Sequence, residues 1–389
     1  MTDAYLAKRN ELKVLLEAAK PGQTVKLRGD WAFPAAAPHR WGPKATSPKD
    51  ADGKVLPFGS LETDAPVILD CTEAVMGDLY WGNISGFRFV GGDWRGGIRI
   101  DGGSGIEVQD AVFTGVSKAV NVSGGVGLKV RGASFVGCDY GVLAGAMAEV
   151  LIEDNSVVSA VVDGFTLAGV QGATVRRNSV IGSKPFVGAH PDFCQVYSRA
   201  NAPPACDILI EDNLVSGHTQ GVGMFNHDRV YAKGTVLPAG GRLKGELIFP
   251  PGHVLAEDTK LNDGGFERVI IRRNRIIGGA PHGIGVYGAR DLVLESNHLS
   301  THPIGGSRCS INLVECVDVV RRGNRIDAGA GKPAVVDPDL VAAADPARIA
   351  ELEAAVARAE ADRLFMAEQI ASARAWMQAA PHALAPATA

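Results

Sequence analysis

The middle of the chain alternates short hydrophobic and polar runs, and the pattern repeats along the sequence. Rows such as "VNVSGGVGLKVRGASFVGCDYG" and "FTLAGVQGATVRRNSVIGS" each contain three alternating segments separated by turns that carry Gly or Asn. Alternation with a period of two is typical of β-strands that bury one face. We therefore predict three short strands in each row, over residues 66–335.

One asparagine recurs after an aliphatic residue and two polar residues, with its last copy one residue late. Its positions are Asn155, Asn178, Asn213, Asn274, Asn297 and Asn324. The spacings are 23, 35, 61, 23 and 27 residues. A period near 23 with three strands per row predicts an all-β fold, a right-handed parallel β-helix in which each coil stacks on the last. We expect this Asn to adopt the left-handed turn conformation and to hydrogen-bond to its stacked neighbours.

Aligning the rows predicts which side chains point into the solenoid. One inward column comprises Ile98, Val120, Val142, Phe165, Cys194, Val222, Ile284 and Ile311. A second comprises Ile100, Val122, Ala144, Leu167, Val196, Met224, Val286 and Leu313. Residues between these columns should point outward, because successive strand residues face opposite sides.

The two ends of the chain have a different pattern. Residues 1–31 predict an amphipathic helix and a first strand that cap the first coil, and the Pro-rich residues 32–65 predict an irregular loop or subdomain. Residues 338–380 predict a long C-terminal helix, with Asp345 as its N-cap and Pro346 at the first helical position. Its hydrophobic residues follow heptad spacing, at Ile349, Leu352, Val356, Ala359, Met366, Ile370, Ala373 and Met377. This helix either lies on its own solenoid or forms a coiled coil, for which a trimer is expected.

Two insertions, near residues 184–206 and 229–264, interrupt the repeat on neighbouring coils and predict the working face. The candidate catalytic residues beside them are Asp163, His190, Asp192, Tyr197, His227, Asp228 and Arg229. The candidate substrate-binding residues are Gln195, Arg199, Asn226 and Tyr287. With coils about 4.8 Å apart, we expect most of them to share an exposed patch of roughly 10 Å.

Three interpretations of this cluster stay open. Asp163 and Asp192 on adjacent coils suit glycoside hydrolysis, which uses one protonated and one ionised carboxyl group. Alternatively, His190 or His227 as base, Tyr197 as acid and Arg229 as partner of a uronate carboxylate suit β-elimination or epimerisation. The third interpretation is a polar corner that only satisfies loop backbone groups.

Composition narrows the classes of function. The 48 glycines among 389 residues indicate many tight turns, and a net charge of −4 argues against nucleic-acid binding by bulk electrostatics. No apolar run is long enough to span a membrane, and the N-terminus lacks the apolar core of a secretory signal. The six cysteines are expected to be reduced core residues, with a bridge between Cys194 and Cys206 as the minor alternative.

No cofactor or metal-ligand residue is predicted, because no known ligand spacing occurs. A divalent cation held by His190, Asp192, His227 and Asp228 stays open as an alternative.

The rows, the asparagine ladder and the N-terminal "AAKPGQTVKL" resemble the pectate-lyase-like superfamily of right-handed parallel β-helices, over about residues 10–335. The resemblance implies a polysaccharide partner, and it transfers no catalytic residue. Together with the predicted coiled coil and the missing signal, it favours a homotrimeric phage or phage-like tail spike or fibre. Such a protein is made in the cytoplasm and displayed on a virion or extracellular surface, where it binds and in some members depolymerises a bacterial glycan. The alternatives are a lyase or epimerase acting on an acidic glycan, and a non-catalytic adhesin or virion structural protein.

Overall fold

The computed structural model describes most of the chain up to residue 342. The described ranges are 3–33, 38–41, 58–59, 65–183, 191–198, 203–225, 228–237, 242–243, 247–248, 250, 252–262, 265–278, 282–302, 309–327, 335–336 and 340–342. The chain divides into two compact units, residues 1–342 and 343–389. The second unit, which contains the predicted heptads, lies outside the described residues.

The N-terminal segment forms helix α1 (Asp3–Ala18) and strand β1 (Thr24–Trp31). Leu12 and Leu16 of α1 are buried in the main hydrophobic core. Strand β1 pairs in parallel with the strand Val67–Met76, so it belongs to the solenoid. A cap over the first coil stays a prediction for α1.

The other strands follow in chain order. The first part of the chain contains β2 (His39–Trp41), β3 (Phe58–Gly59), β4 (Val67–Met76), β5 (Leu79–Val90), β6 (Asp93–Trp94), β7 (Ile98–Gln109), β8 (Val112–Thr114), β9 (Lys118–Arg131), β10 (Ser134–Val136), β11 (Tyr140–Glu153) and β12 (Ser156–Val158). The middle contains β13 (Asp163–Ala168), β14 (Gln171–Arg176), β15 (Ser179–Ile181), β16 (Asp192–Tyr197), β17 (Ala205–Glu211), β18 (Leu214–Ser216), β19 (Gln220–Phe225), β20 (Asp228–Tyr231), β21 (Val236–Leu237), β22 (Arg242–Leu243), β23 (Leu247–Ile248), β24 (His253–Val254) and β25 (Thr259–Asn262). The last part contains β26 (Phe266–Arg272), β27 (Arg275–Gly278), β28 (Ile284–Tyr287), β29 (Ala289–Glu295), β30 (His298–Thr301), β31 (Ile311–Val314), β32 (Val317–Arg322), β33 (Arg325–Asp327), β34 (Val335–Val336) and β35 (Leu340–Ala342).

The strands of successive coils pair in parallel, which makes the fold a parallel β-helix. The first inward column is in register from Ile98 through Val120, Val142, Phe165, Cys194, Val222 and Ile284 to Ile311. All of its members except Ile311 are fully buried. The predicted register is therefore confirmed, and the outward positions between the inward columns form one continuous face.

The asparagine ladder is present, but its backbone assignment was wrong. Each Asn side chain is buried, and from the second Asn onwards its Oδ1 accepts hydrogen bonds from the backbone N and Nδ2 of the Asn one coil earlier, for example Asn213 from Asn178 at 2.9 and 3.1 Å. Asn155, the first, accepts from the backbone N of Ala133 at 2.9 Å. The left-handed residue is the one before it, such as Asp154, Arg177 and Asp212, with φ between 52° and 58°. The Asn must instead direct its amide into the solenoid, where it satisfies backbone groups at the turn.

The second insertion forms small antiparallel sheets of its own. Strand β20 pairs with β25, β22 pairs with β23 and β25, and β21 pairs with β24. Most of the first insertion, including residues 184–190 and 199–202, lies outside the described residues.

The end of the solenoid departs from the predicted helix 338–380. Strand β35 (Leu340–Ala342) pairs antiparallel with Val319–Arg321 of β32, and β34 pairs antiparallel with β33. These residues are not helical, because the last coil presents an open edge whose backbone groups the returning chain can pair.

All six cysteines are free, as the sequence predicted. Five are buried, whereas Cys316, which was also expected in the core, is only partly buried. No helix among the described residues is long and apolar enough to cross a membrane.

Candidate functional site

A polar column runs along the outward face where the first strands of four coils begin. Asp163 pairs in register with Asp192, and Asp192 with Gln220. His282 continues the column, because Val222 pairs with Ile284 two residues further on and Gly221 N donates to His282 O at 3.4 Å. The sequence-predicted alignment of these four residues is present in the structure. We call them the polar column.

Two buried glycines leave room for side chains of the polar column, and we call their position the notch. Gly223 and Gly285 occupy the outward position that Thr166, Gln195 and Asn312 fill on other coils. A Cβ at Gly223 would lie 2.9 Å from Asp192 Oδ2 and 3.1 Å from Gln220 Nε2. A Cβ at Gly285 would lie 3.2 Å from the His282 ring. The polar column therefore leans sideways into space that only glycine leaves free.

Three residues of the candidate site that were expected to be exposed are buried. Asp163 is 3% exposed, Asp192 1% and Gln195 7%. The expectation of a solvent-exposed patch was wrong for these three side chains. Sequence alignment gives the outward direction of a side chain but not its burial.

The environment of Asp192 disfavours its charged form. Burial, and then the neighbouring Asp163 carboxylate, raise the pKa of Asp192 well above its ordinary value. Neither of its carboxyl oxygens has a hydrogen-bond partner among the described residues. A raised pKa is the property that a carboxyl group needs to act as a general acid.

Asp163 differs from Asp192 in its hydrogen bonding. Its Oδ2 accepts a hydrogen bond from Thr166 Oγ1 at 2.9 Å, and its Oδ1 accepts one from the Asp192 backbone N at 3.1 Å. The two buried carboxyl groups on adjacent coils are therefore chemically distinct, because the carboxyl oxygens of Asp192 lack such partners among the described residues.

An aromatic column lies beside the polar column. Tyr197, Phe225 and Tyr287 occupy the same outward position on three successive coils, and all three are partly exposed. The Phe225 and Tyr287 ring centroids are 5.2 Å apart, with the rings inclined by 31°. Burial, followed by the charges of Asp163 and Asp192, raises the pKa of Tyr197, so its phenol stays protonated.

The last coils add a small hydrogen-bonded cluster at the end of the notch. Asn312 Nδ2 donates to Tyr287 Oη at 3.0 Å and lies 3.3 Å from His282 Nε2. Tyr287 Oη is 3.4 Å from the same nitrogen. Burial lowers the pKa of His282, which keeps the imidazole neutral. These groups offer donors and acceptors to a polar ligand without a net charge.

The remaining predicted site residues are not placed beside this cluster. His190, Arg199, Asn226 and His227 lie outside the described residues. Asp228 and Arg229 belong to strand β20 of the insertion's antiparallel sheet, not to a coil, and their side chains are likewise not described. Their place in the candidate site stays a prediction.

Several residues of the site were not selected from the sequence. Phe225, Gln220, His282 and Asn312 occupy the same columns as the predicted site residues Asp163, Asp192, Gln195, Tyr197 and Tyr287, but the sequence did not predict them as site residues. The detectable signal was the glycine pair at 223 and 285, which interrupts a column that is otherwise occupied by larger side chains. Among the described residues no group of three or more His, Cys, Asp or Glu could hold a metal ion.

Neither a protein-family model nor a curated protein matches this chain. Among solved structures it is similar to PfbA, a surface adhesin of Streptococcus pneumoniae, with 10% identity, a TM-score of 0.49 and coverage of 84% of this chain and 88% of that one. It is also similar to an alginate lyase from Paenibacillus, with 12% identity, a TM-score of 0.36 and coverage of 78% and 97%. A tailspike protein double mutant of E. coli bacteriophage HK620, in complex with pentasaccharide, has 11% identity, a TM-score of 0.43 and coverage of 83% and 63%. The β-helix assignment rests on the strand register and not on these scores.

Proposed function

We propose that this protein binds an extended polysaccharide along the outward face that carries the polar and aromatic columns. Sugar rings combine apolar C–H faces with hydroxyl groups, so a site for them needs aromatic surface next to hydrogen-bonding side chains. A solenoid repeats both at the coil spacing of about 4.8 Å, which suits a polymer more than a small compact ligand.

One observation supports this proposal above the others. Tyr197, Phe225 and Tyr287 form a partly exposed aromatic column directly beside Asp192, Gln220 and His282. Large aromatic side chains in line on an exposed face indicate an interaction surface, because most Trp and Phe side chains of the described solenoid are buried in the core.

We propose further that the ligand is a bacterial surface polysaccharide and that the protein is a trimeric tail spike or fibre of a phage-like particle. It would then act on a virion or extracellular surface. The heptad spacing of residues 349–377 in the sequence supports the trimer.

Glycan binding is tested with the full chain on an array of bacterial capsule and lipopolysaccharide polysaccharides. The double variant Tyr197→Ala/Phe225→Ala should weaken binding at least tenfold, because two aromatic contacts of about 0.5–1.5 kcal/mol each are lost in addition to buried area. Val158→Ala, which trims a 38% exposed side chain on another face, is the matched control. Equal binding by both variants would place the ligand elsewhere.

Hydrolysis of the bound glycan is the second candidate function. It is favoured by the contrast between Asp192, whose pKa is raised, and hydrogen-bonded Asp163 on adjacent coils. The wild-type protein should then release oligosaccharides from a polysaccharide that it binds, and Asp192→Asn should abolish release while binding persists. Binding without release by the wild-type protein would leave a non-catalytic binder or adhesin.

A further inference from the structure

The outward face of the candidate site continues towards the N-terminal coils. The column of Thr166 and Gln195 extends backwards in register through Leu143, Asn121, Arg99, Tyr80 and Arg40. Four coil steps separate Arg99 from Gln195, which is roughly 19 Å at the usual strand spacing. Arg40, Tyr80 and Arg99 therefore lie on the same line as the proposed glycan surface.

These three side chains form a stack. The Arg40 guanidinium carbon lies 4.5 Å from the centre of the Tyr80 ring, and that of Arg99 lies 4.4 Å from it. The two arginines come from the coils on either side of Tyr80, so they cover opposite faces of the ring. Stacking occupies the flat face of a guanidinium and leaves its N–H edge free to donate hydrogen bonds.

Asp101 holds the stack in place. It accepts hydrogen bonds from Tyr80 Oη at 2.6 Å, from Arg99 Nη2 at 3.0 Å and from Ser123 Oγ at 3.1 Å. Although partial burial acts the other way, these bonds lower the pKa of Asp101, which keeps it charged. One N–H edge of Arg99, formed by Nε and Nη2, is thereby turned towards Asp101, and the Tyr80 hydroxyl is fixed.

Arg40 differs from Arg99 in one respect. Its side chain is exposed, and no described carboxylate pairs with it. A cation whose orientation is fixed by an aromatic support and whose donors face solvent is built to accept an oxyanion in bidentate fashion. With Asp101 balancing Arg99, the stack keeps one net positive charge.

We propose that the Arg40–Tyr80–Arg99 stack is an anion subsite, which binds an acidic substituent of the glycan about four to six coils from Asp192. This inference rests on the proposed glycan binding and adds a ligand class, a polysaccharide with carboxylate groups. Sulfate and phosphate esters share the same bidentate chemistry and are separate arms of the test. In this proposal the stack extends the glycan-binding site along the solenoid and favours glycans that carry negative charge.

The test uses the full chain on an array of bacterial polysaccharides with neutral, carboxylated, sulfated and phosphorylated repeats. The wild-type protein should prefer an acidic class, and Arg40→Gln should weaken that binding about tenfold or more, the loss expected for one charge-assisted contact. Binding to neutral glycans should be unchanged. Arg95→Gln is the matched control, because Arg95 is a 54% exposed arginine paired with Asp93 outside the stack.

A second variant separates the built site from general charge. Arg40→Lys keeps the cation but loses the planar fork, so it should recover less than half of the lost binding free energy. Full recovery with Lys, or equal losses in Arg40→Gln and Arg95→Gln, would overturn the anion subsite while glycan binding stands. Wild-type binding to neutral polysaccharides alone would overturn it too. Failure to bind any polysaccharide would reject the proposed function and the subsite with it.

Discussion

Burial of Asp192 gives this carboxyl group a raised pKa, and it also costs stability. Burying a carboxyl group beside another carboxylate costs free energy that the fold recovers only by keeping the group protonated. Stability should therefore depend on pH through this side chain. Because its pKa is raised in the folded state, the unfolded chain releases the proton first as pH rises, and the balance shifts towards unfolding.

Asp192→Asn should remove that pH dependence. From about pH 4 upwards the wild-type protein should lose as much as about 1.4 kcal/mol per pH unit from this residue, until pH reaches the folded-state pKa. The amide does not ionise, so the melting temperature of the variant should exceed that of the wild type by an amount that grows as pH rises from about 4 towards the folded-state pKa. Thermal melts at several pH values measure the difference.

Asp110→Asn, a change at an exposed aspartate, is the control for this series. Parallel stability curves for Asp192→Asn and the wild type would show that Asp192 is ionised in the folded protein. The same melts establish whether the variant is folded when glycan release is assayed.

At the scale of single residues, the sequence predicted whether a side chain points inward or outward better than it predicted how deeply that side chain is buried. Period-two alternation was enough to turn Cys194 and Val196 inward and Gln195 and Tyr197 outward. The burial of Asp192 could not be read from its own coil, because its carboxyl group lies in the space beside Gly223 on the next one.

At the scale of the coil, the two residues before each ladder asparagine alternate in charge. Glu153 and Asp154 are followed one coil later by Arg176 and Arg177, and the order repeats with Glu211-Asp212 and Arg272-Arg273. Arg177 donates to Asp154 at 2.8 and 2.7 Å and to Glu153 at 2.8 Å. A slip by one coil would place like charges together, so this charge ladder favours a single register.

Reversing the charge of one residue in this charge ladder should therefore lower the free energy of unfolding more than removing that charge. Arg177→Glu should lower the free energy of unfolding by about 1 kcal/mol or more, since it replaces attraction to Asp154 with repulsion, and Arg177→Gln should cost less. Urea denaturation at low salt measures both changes. High salt should shrink the difference between the two variants.

The double variant Arg177→Glu/Asp154→Arg restores opposite charges and should recover part of the loss. Additive effects of the two single changes would contradict a direct interaction between these two residues. The charge ladder is visible in the sequence, where the pairs ED and RR alternate before successive asparagines. The sequence analysis did not predict it, because it placed the asparagine itself in the left-handed turn conformation, which Asp154 and Arg177 adopt instead.

At the scale of the whole molecule, one outward face connects the features discussed above. It runs in register from Arg40 through Thr166 and Gln195 to the notch at Gly223 and Gly285. Repetition predicted this face from Arg99 onwards, because a solenoid copies each position at a constant spacing. Arg40 lies in residues 32–65, for which an irregular loop was predicted, whereas β2 pairs in parallel with β5. The two insertions break the repeat, and for that reason the placement of His190 and His227 could not follow from periodicity.

The proposed tail-spike role requires a particular oligomeric state of the whole molecule, a trimer. Heptad spacing over residues 349–377 predicts association through Val356 and Ile370, with a trimer as the expected state. Light scattering should then give a mass near three times 40.7 kDa.

The double variant Val356→Asp/Ile370→Asp tests this association. It places charges between the associated helices and should reduce the mass to that of one chain. Ala354→Asp/Ala375→Asp, on the outer side of the same heptads, should leave the trimer intact. If the wild-type protein is monomeric, glycan binding by a single solenoid stands, and the trimeric tail-spike role is wrong.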